Sequence, residues 1–197
     1  MITINPETFN ERENYHFLTS TIIPRPVAFI TTINENGVVN GAPYSYFNII
    51  SANPPLVGVS IQHKNGGLKD TARNIKKQNE FVIHIVDEEN VDQINKTATN
   101  VASNVSEIDL TELTLVPSKV ISVPGIVEAK MRIECVLDRI IGFETCDLFI
   151  GKVVAYNIDN DIYQGGTVDS HKIGAISRLA GHEYAKIGTA FEIKRPV

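Results

Sequence analysis

Cysteine is scarce in this chain of 197 residues: Cys135 and Cys146 are the only two. They form neither a Cys-x-x-Cys pair nor a zinc-ligand spacing, and a disulfide framework would need more of them. Both are expected as buried or half-buried thiols in a reducing cytosol. Long apolar runs are missing too, and none approaches the ~20 residues of a bilayer span. The polar start from Met1 to Arg12, with Glu7, Glu11 and the adjacent Glu13, lacks the pattern of a signal peptide. A soluble, cytoplasmic protein is expected. Excess positive charge is also absent: the net charge is −5 and the pI about 5.5. That argues against an extended nucleic-acid footprint, while one local basic pocket for a small anion stays compatible with it.

The familiar catalytic signatures are missing as well. No two glycines flank a single residue, so there is no G-x-G-x-x-G fingerprint, and no glycine pair has phosphate-loop spacing. His182-Glu183 is followed by Tyr184, Ala185 and Lys186, so H-E-x-x-H is absent, and G-x-S-x-G does not occur. The five histidines, at 16, 63, 84, 171 and 182, never fall at i, i+3 or i+4 beside a carboxylate, so no metal site is expected. His84, inside the run FVIHIV, is expected as a hydrogen-bonded sheet residue. Any enzyme chemistry in such a chain would sit in a bound organic cofactor.

What is present is globular: 43% hydrophobic and 21% charged residues, enough for one domain across 1–197 with its own core. Val27–Ile33 is β-branched and aromatic, and Asn36-Gly37 after it predicts a hairpin. Leu56–Ile61 and Phe81–Val86 are further strand candidates, and Pro54-Pro55 forbids a helix before the first of them. In GLKDTARNIKKQ, Leu68, Ala72 and Ile75 share one helical face. Asn90–Thr99 is expected to be helical, and 100–126 a long excursion with short elements. Ala129–Ile141 and Leu148–Ile158 predict a second hairpin. A short helix is expected over Lys172–Ala180, stopped by Gly181. Strands arriving in hairpins argue for a mainly β, antiparallel barrel with appended helices, ahead of a doubly wound parallel sheet.

Three segments carry candidate chemistry. Ala42–Pro55 mixes two tyrosines, Phe47, serines and asparagines between strands, which suits either an ordinary strand end and loop or the wall of a planar heteroaromatic ligand. Gly66-Gly67 before Lys69, Asp70, Thr71 and Arg73 makes a helix start that is either an anion site or a capped surface helix. Arg178, following an apolar stripe, and Tyr184 are either solvated and half-buried residues or ligand contacts.

Taken together, Pro24-Arg25-Pro26-Val27-Ala28, APYSYFNIISANPPLVGVSI and Lys69-Asp70-Thr71-Ala72-Arg73-Asn74-Ile75 resemble the flavin reductase-like, FMN-binding split-barrel family that includes flavoredoxin-type proteins. The similarity resumes at Asp147–Val153 and at Arg178-Leu179-Ala180-Gly181 with Tyr184. The resemblance implies a Greek-key split β-barrel that dimerises, with FMN near the subunit interface. Carried over by position, it puts Ser45, Tyr46, Phe47 and Asn48 along the isoalloxazine ring and Ser51 and Ala52 near the ring or the ribityl chain. Lys69, Asp70 and Thr71 take the phosphate, with Arg25, Arg178 and Tyr184 as further contacts. The implied activity is hydride transfer from NAD(P)H to flavin, with no catalytic side chain required. Two alternatives accompany it: an FMN-binding electron carrier without nicotinamide activity, and a flavin-free binding module on the same barrel. One departure bears on the choice. NADH-using members carry Gly-Asp-His where this chain has Cys146-Asp147-Leu148.

Overall fold

The computed structural model describes residues 1–196. In chain order the elements are helix α1 (Glu11–Thr21) and strands β1 (Arg25–Pro26), β2 (Ala28–Ile33), β3 (Val39–Tyr44), β4 (Phe47–Ala52) and β5 (Pro55–Gln62). Helix α2 (Asp70–Gln78), β6 (Glu80–Ile85), α3 (Val91–Lys96), β7 (Leu115–Val116), β8 (Gly125–Ile126), β9 (Met131–Gly142) and β10 (Cys146–Ile158) follow. The chain then passes through β11 (Tyr163–Gln164), β12 (Thr167–Val168), α4 (Ser170–Ile173), β13 (Ile176–Arg178) and β14 (Tyr184–Lys186).

Seven strands form one antiparallel sheet in the order β3-β2-β6-β9-β10-β5-β4. Pairing in this one direction throughout removes the parallel-sheet alternative. The sheet curls on itself. Tyr44 of β3 and Val57, Val59 and Ile61 of β5, from opposite ends of the strand order, share one buried cluster with Ala72 and Ile75 of α2. Alternation along the strands puts these side chains on the inner face, and the apolar stripe of α2 closes the gap between the two ends. The excursion 100–126 covers the outer face through Ile121 and Val123 against Val82, and Ile108 and Ile126 against Phe29. Both cysteines are free, Cys135 buried and Cys146 half-buried.

Close packing is tightest at Gly151, beside a register shift between β9 and β10. A Cβ there would stand 2.4 Å from Phe81 Cζ and 3.2 Å from Cys135 Cβ, both in the barrel interior. Gly151→Val is therefore expected to destabilise the fold by about 1–3 kcal/mol through overpacking. An unchanged urea midpoint would mean that Phe81 swings aside.

Two departures from the sequence expectation matter for the site. The polar start leads into a helix, α1, anchored by a capping box: Asn10 Oδ1 accepts from the Glu13 amide at 2.9 Å and Glu13 Oε2 from the Asn10 amide at 2.8 Å. The helix expected over Lys172–Ala180 is not there. Only Ser170–Ile173 is helical, and Gly174 ends it with a left-handed φ of 65°. Ile176–Arg178 then pairs with β1 on one side and β14 on the other, so sheet hydrogen bonds override the helical spacing of Ile173, Ile176 and Leu179. Gly181 sits in the turn before β14, not at a helix stop.

Candidate flavin site

The start of α2 leaves its first amides without side-chain partners. Lys69 occupies the N-cap of α2 and makes no side-chain cap, so the amides of the first turn are left to other partners. Burial, aided by neighbouring Lys64, pushes the Lys69 ammonium below its ordinary range. Its Nζ lies 5.7 Å from the Tyr44 ring centroid, and among the described residues no carboxylate pairs with it. Asp70 turns its carboxylate to Arg73, which leaves only its amide free for an anion. Thr71 is buried and donates from Oγ1 to Asn40 Oδ1 at 2.8 Å. Asn40 Nδ2 in turn donates to Glu107 Oε2 at 2.7 Å. This chain holds the threonine hydroxyl at one orientation, with its oxygen lone pairs available to a donor. Burial pushes the Tyr44 phenol up to about 12, Thr71 drawing it partly back and Glu107 adding to the rise, so Tyr44 stays neutral.

From Lys69 a trough runs along the end of β3 to β4. The first part, about 330 Å³, lies between Lys69, Thr71 and Tyr44 and the segment Thr97–Val101. A narrower stretch of about 140 Å³ passes Tyr44, Ser45 and Tyr46 opposite Ser60 and Gln62. Next to it is an apolar cleft of about 380 Å³ lined by Tyr46, Phe47 and Asn48 together with Leu18 of α1 and Ile22 just past its end. Leu148 stands in that cleft's wall, paired with Ser60 across β10 and β5. Asp147 beside it is turned to Lys76 at 2.7 Å, and that ion pair holds its carboxyl below the usual carboxylate range.

The structure thus brings Ser45, Tyr46, Phe47, Asn48, Lys69, Asp70 and Thr71 along one trough. Arg25 borders it at the apolar end. Ser51 and Ala52 lie farther along β4, near the hairpin tip, and line none of these clefts; Ser51 Oγ accepts from the Asn53 amide at 3.2 Å. Arg178 and Tyr184 line a separate cleft across Tyr44 and Ser45. Sequence reasoning missed the α1 wall, for which the Asn10…Glu13 capping box was a readable signal. It also missed Asn40 and Glu107 behind Thr71. Nothing local marks those two, because the contact spans more than sixty residues of chain.

The amides of the α2 start, the unpaired and partly buried Lys69, and the aromatic and amide edge of β4 together suit a planar ring system carrying a phosphate. An antiparallel barrel with helices appended and such clefts along one edge is the class of fold the structure defines. The chain belongs to the flavin reductase-like family: residues 19–172 match the family model described as flavin reductase like domain. Its fold is that family's split barrel, and it is a flavin-related oxidoreductase. An uncharacterised protein of Halalkalibacterium halodurans is 42% identical, with 98% of this chain and 96% of that protein covered. The crystal structure of nitrilotriacetate monooxygenase component B from Bacillus cereus superposes with a TM-score of 0.95 at 52% identity over 98% of each chain. That of Pseudomonas fluorescens 2-nitrobenzoate 2-nitroreductase NbaA gives 0.92 at 28% identity, covering 99% of this chain and 96% of its own. Among the described residues no helix is long and apolar enough to cross a membrane.

Proposed function

We propose that this chain, as one domain across 1–197, binds FMN and acts in the cytoplasm as an NAD(P)H:flavin oxidoreductase. The observation that carries the reading is the row of adjoining clefts, with Tyr44, Ser45, Tyr46 and Lys69 in their shared walls, from the uncapped start of α2 to the edge Tyr46–Asn48. Bound there, FMN would supply the redox chemistry, hydride and electron transfer between NAD(P)H and a second flavin or another acceptor. The protein's part is to bind and orient. The amides of the α2 start, that of Thr71 included, hydrogen-bond the phosphate and Lys69 neutralises it, while the Thr71 hydroxyl, committed to Asn40, braces the turn. Ser45, Tyr46, Phe47 and Asn48 bear on the ring, and the apolar cleft beside Leu148 keeps water from one side of it.

A homodimer belongs to the same proposal. Strand β4 is an outer strand of the sheet, and its Ile49 and Ile50 are exposed to 75% and 48%. An exposed apolar edge of this kind is what a second copy would cover. It would also draw Ser51 and Ala52 toward a shared flavin. The electron-carrier reading draws on one observation: Leu148 places an aliphatic side chain where NADH-using members carry histidine.

The test is the absorbance spectrum of the purified protein after incubation with FMN and desalting, then anaerobic mixing with NADH or NADPH. Retained flavin bands that bleach with either nucleotide are the expected result. Bands that persist with both, yet bleach with dithionite, would select the electron carrier. A colourless protein would overturn flavin binding altogether. Lys69→Ala is expected to weaken FMN about tenfold, the loss of one charge-assisted phosphate contact, and Thr71→Val, which keeps the amide, by less. An unchanged titration in Lys69→Ala would remove the phosphate from the α2 start.

A further inference from the structure

A second cleft, of about 660 Å³, lies between α1, the Pro43–Ser45 segment and the β13–β14 hairpin. Its walls carry Arg25, Arg178, His16 and His182, and no aspartate or glutamate lines it, in a chain of net charge −5. Arg25 needs a physical explanation. It is only 8% exposed, and its Nη groups donate to the carbonyls of Thr19 at 2.7 Å, Ile22 at 2.5 Å and Leu179 at 2.7 Å. Its Nε is buried without a partner, and among the described residues no carboxylate pairs with Arg25 or with Arg178.

Register sharpens the point. Arg25 stands directly opposite Arg178 across β1 and β13, and Arg178 directly opposite Tyr184 across β13 and β14. Like charges facing each other across a strand pair destabilise it, and a buried cation without a counter-charge is costly. Sheet alternation puts the three side chains on one face. Arg178 donates to the Tyr184 hydroxyl at 2.5 Å and to the Gly181 carbonyl, with its guanidinium 4.6 Å from the Tyr184 ring centroid. The row is held in place by backbone carbonyls and a phenol, which orient the two guanidinium groups without neutralising them. An anionic ligand would supply the missing charge.

We propose that this row is the oxyanion subsite for the substrate that exchanges electrons with the flavin. The ligand chemistry is a planar ring carrying a carboxylate or phosphate: an aromatic acid, or the phosphate arm of a nicotinamide nucleotide. Tyr15 and Tyr184 offer faces for the ring, and Arg25 and Arg178 hold the oxyanion. The cleft meets the trough at Pro43, Tyr44 and Ser45, so a ligand anchored here reaches toward the edge where the ring of the cofactor is proposed to lie. The inference rests on the flavin reading for what the ligand reacts with. It departs from the resemblance, which puts Arg25, Arg178 and Tyr184 on the cofactor.

The experiment is calorimetric titration with two probes, benzoate and adenosine 2′,5′-diphosphate, on both flavin-loaded and flavin-stripped protein. At least one probe is expected to bind both forms, and the pair of arms tells a carboxylate ligand from a nucleotide one. Arg178→Gln is expected to weaken that probe tenfold or more while FMN affinity changes less than twofold. His182→Ala, on the exposed turn, reads the same cleft should Arg178→Gln fail to fold, with an expected loss of about threefold, the effect of one lost hydrogen bond. Binding of neither probe to the wild-type chain would overturn the proposal, as would unchanged probe affinity in the variants. A parallel fall in FMN affinity in Arg178→Gln would return the arginine to the cofactor. A chain that refuses FMN yet binds a probe through Arg178 would sink the flavin reading and keep the anion subsite.

Discussion

Glu134→Ala is expected to cost about 3–5 kcal/mol, the penalty for leaving several buried donors without an acceptor. Glu134 lies on β9 between Ile133 and Cys135, which point into the barrel, so alternation sends its carboxylate to the outer face under the excursion 100–126. There it is fully buried. Oε1 accepts from the Lys119 amide at 2.7 Å and from Asn157 Nδ2 at 2.7 Å, and Oε2 from the amides of Val120 at 2.8 Å and Ile121 at 3.2 Å. Burial by itself would raise the carboxyl, but these donors together outweigh it and hold Glu134 below its ordinary value. One side chain thus terminates three consecutive backbone N–H groups that no strand satisfies. Glu134→Gln keeps the shape but turns a donor toward those amides, and is expected to destabilise by a similar amount. Urea midpoints at pH 7.5 decide it. A shift of less than ~1 kcal/mol in both variants would mean that water replaces the carboxylate.

The second large effect is acid lability set by His84. Its ring is completely buried, with Nδ1 3.0 Å from the Phe29 carbonyl and Nε2 accepting from the Ile126 amide at 3.1 Å. Both contacts are made at once only by a neutral ring protonated on Nδ1. Burial pushes its pKa down to about 4, the Phe29 carbonyl opposing and the charge of Arg132 adding to the fall. The unfolded chain binds this proton near 6.5, the folded chain only near 4. Stability is therefore complete above about pH 6.5 and falls as the pH drops toward 4, by about 3 kcal/mol in full and about 2 kcal/mol by pH 5. Glu134 adds to the loss at lower pH, since a carboxyl held below its ordinary value contributes fully above that value and loses its contribution as it is protonated. Urea midpoints measured from pH 7.5 to 4.5 check this. His84→Gln is expected to be less stable at pH 7.5 but to show a flatter profile. An equally steep profile in that variant would place the acid sensitivity elsewhere.

Much of the barrel was legible from the chain alone. The Asn36-Gly37 turn does join β2 to β3 in an antiparallel pair, with Gly37 at φ 81°, because few other residues accept that conformation. The β9–β10 hairpin and helix α2 also lie where their periodicity puts them. These are local matters: turn chemistry and a one-sided apolar pattern act over a few residues, and the sequence records them directly. His84 followed the same logic, a polar residue in an apolar strand that finds partners for both nitrogens.

The segment 172–180 shows where that legibility stops. Ile173, Ile176 and Leu179 have helical spacing, yet the left-handed turn at Gly174 and pairing with β1, some 150 residues away in the chain, make Ile176–Arg178 a strand. That pairing also sets Arg178 opposite Arg25, a juxtaposition no sequence window contains. The trough was half legible in the same way. The residue types at Ser45–Asn48 and Lys69–Thr71 made them candidates for contacting a ring and a phosphate, because amide, hydroxyl and helix-start chemistry depends on neighbours in the chain. Their alignment end to end, the α1 wall, and the support of Thr71 by Asn40 and Glu107 came only with closure of the sheet. By itself the sequence determined most of the long barrel strands, the Asn-Gly turn and the kinds of group available for binding. The tertiary structure decided which groups face one another and which charges go unneutralised, since burial and pairing depend on distant segments that only the folded barrel brings together.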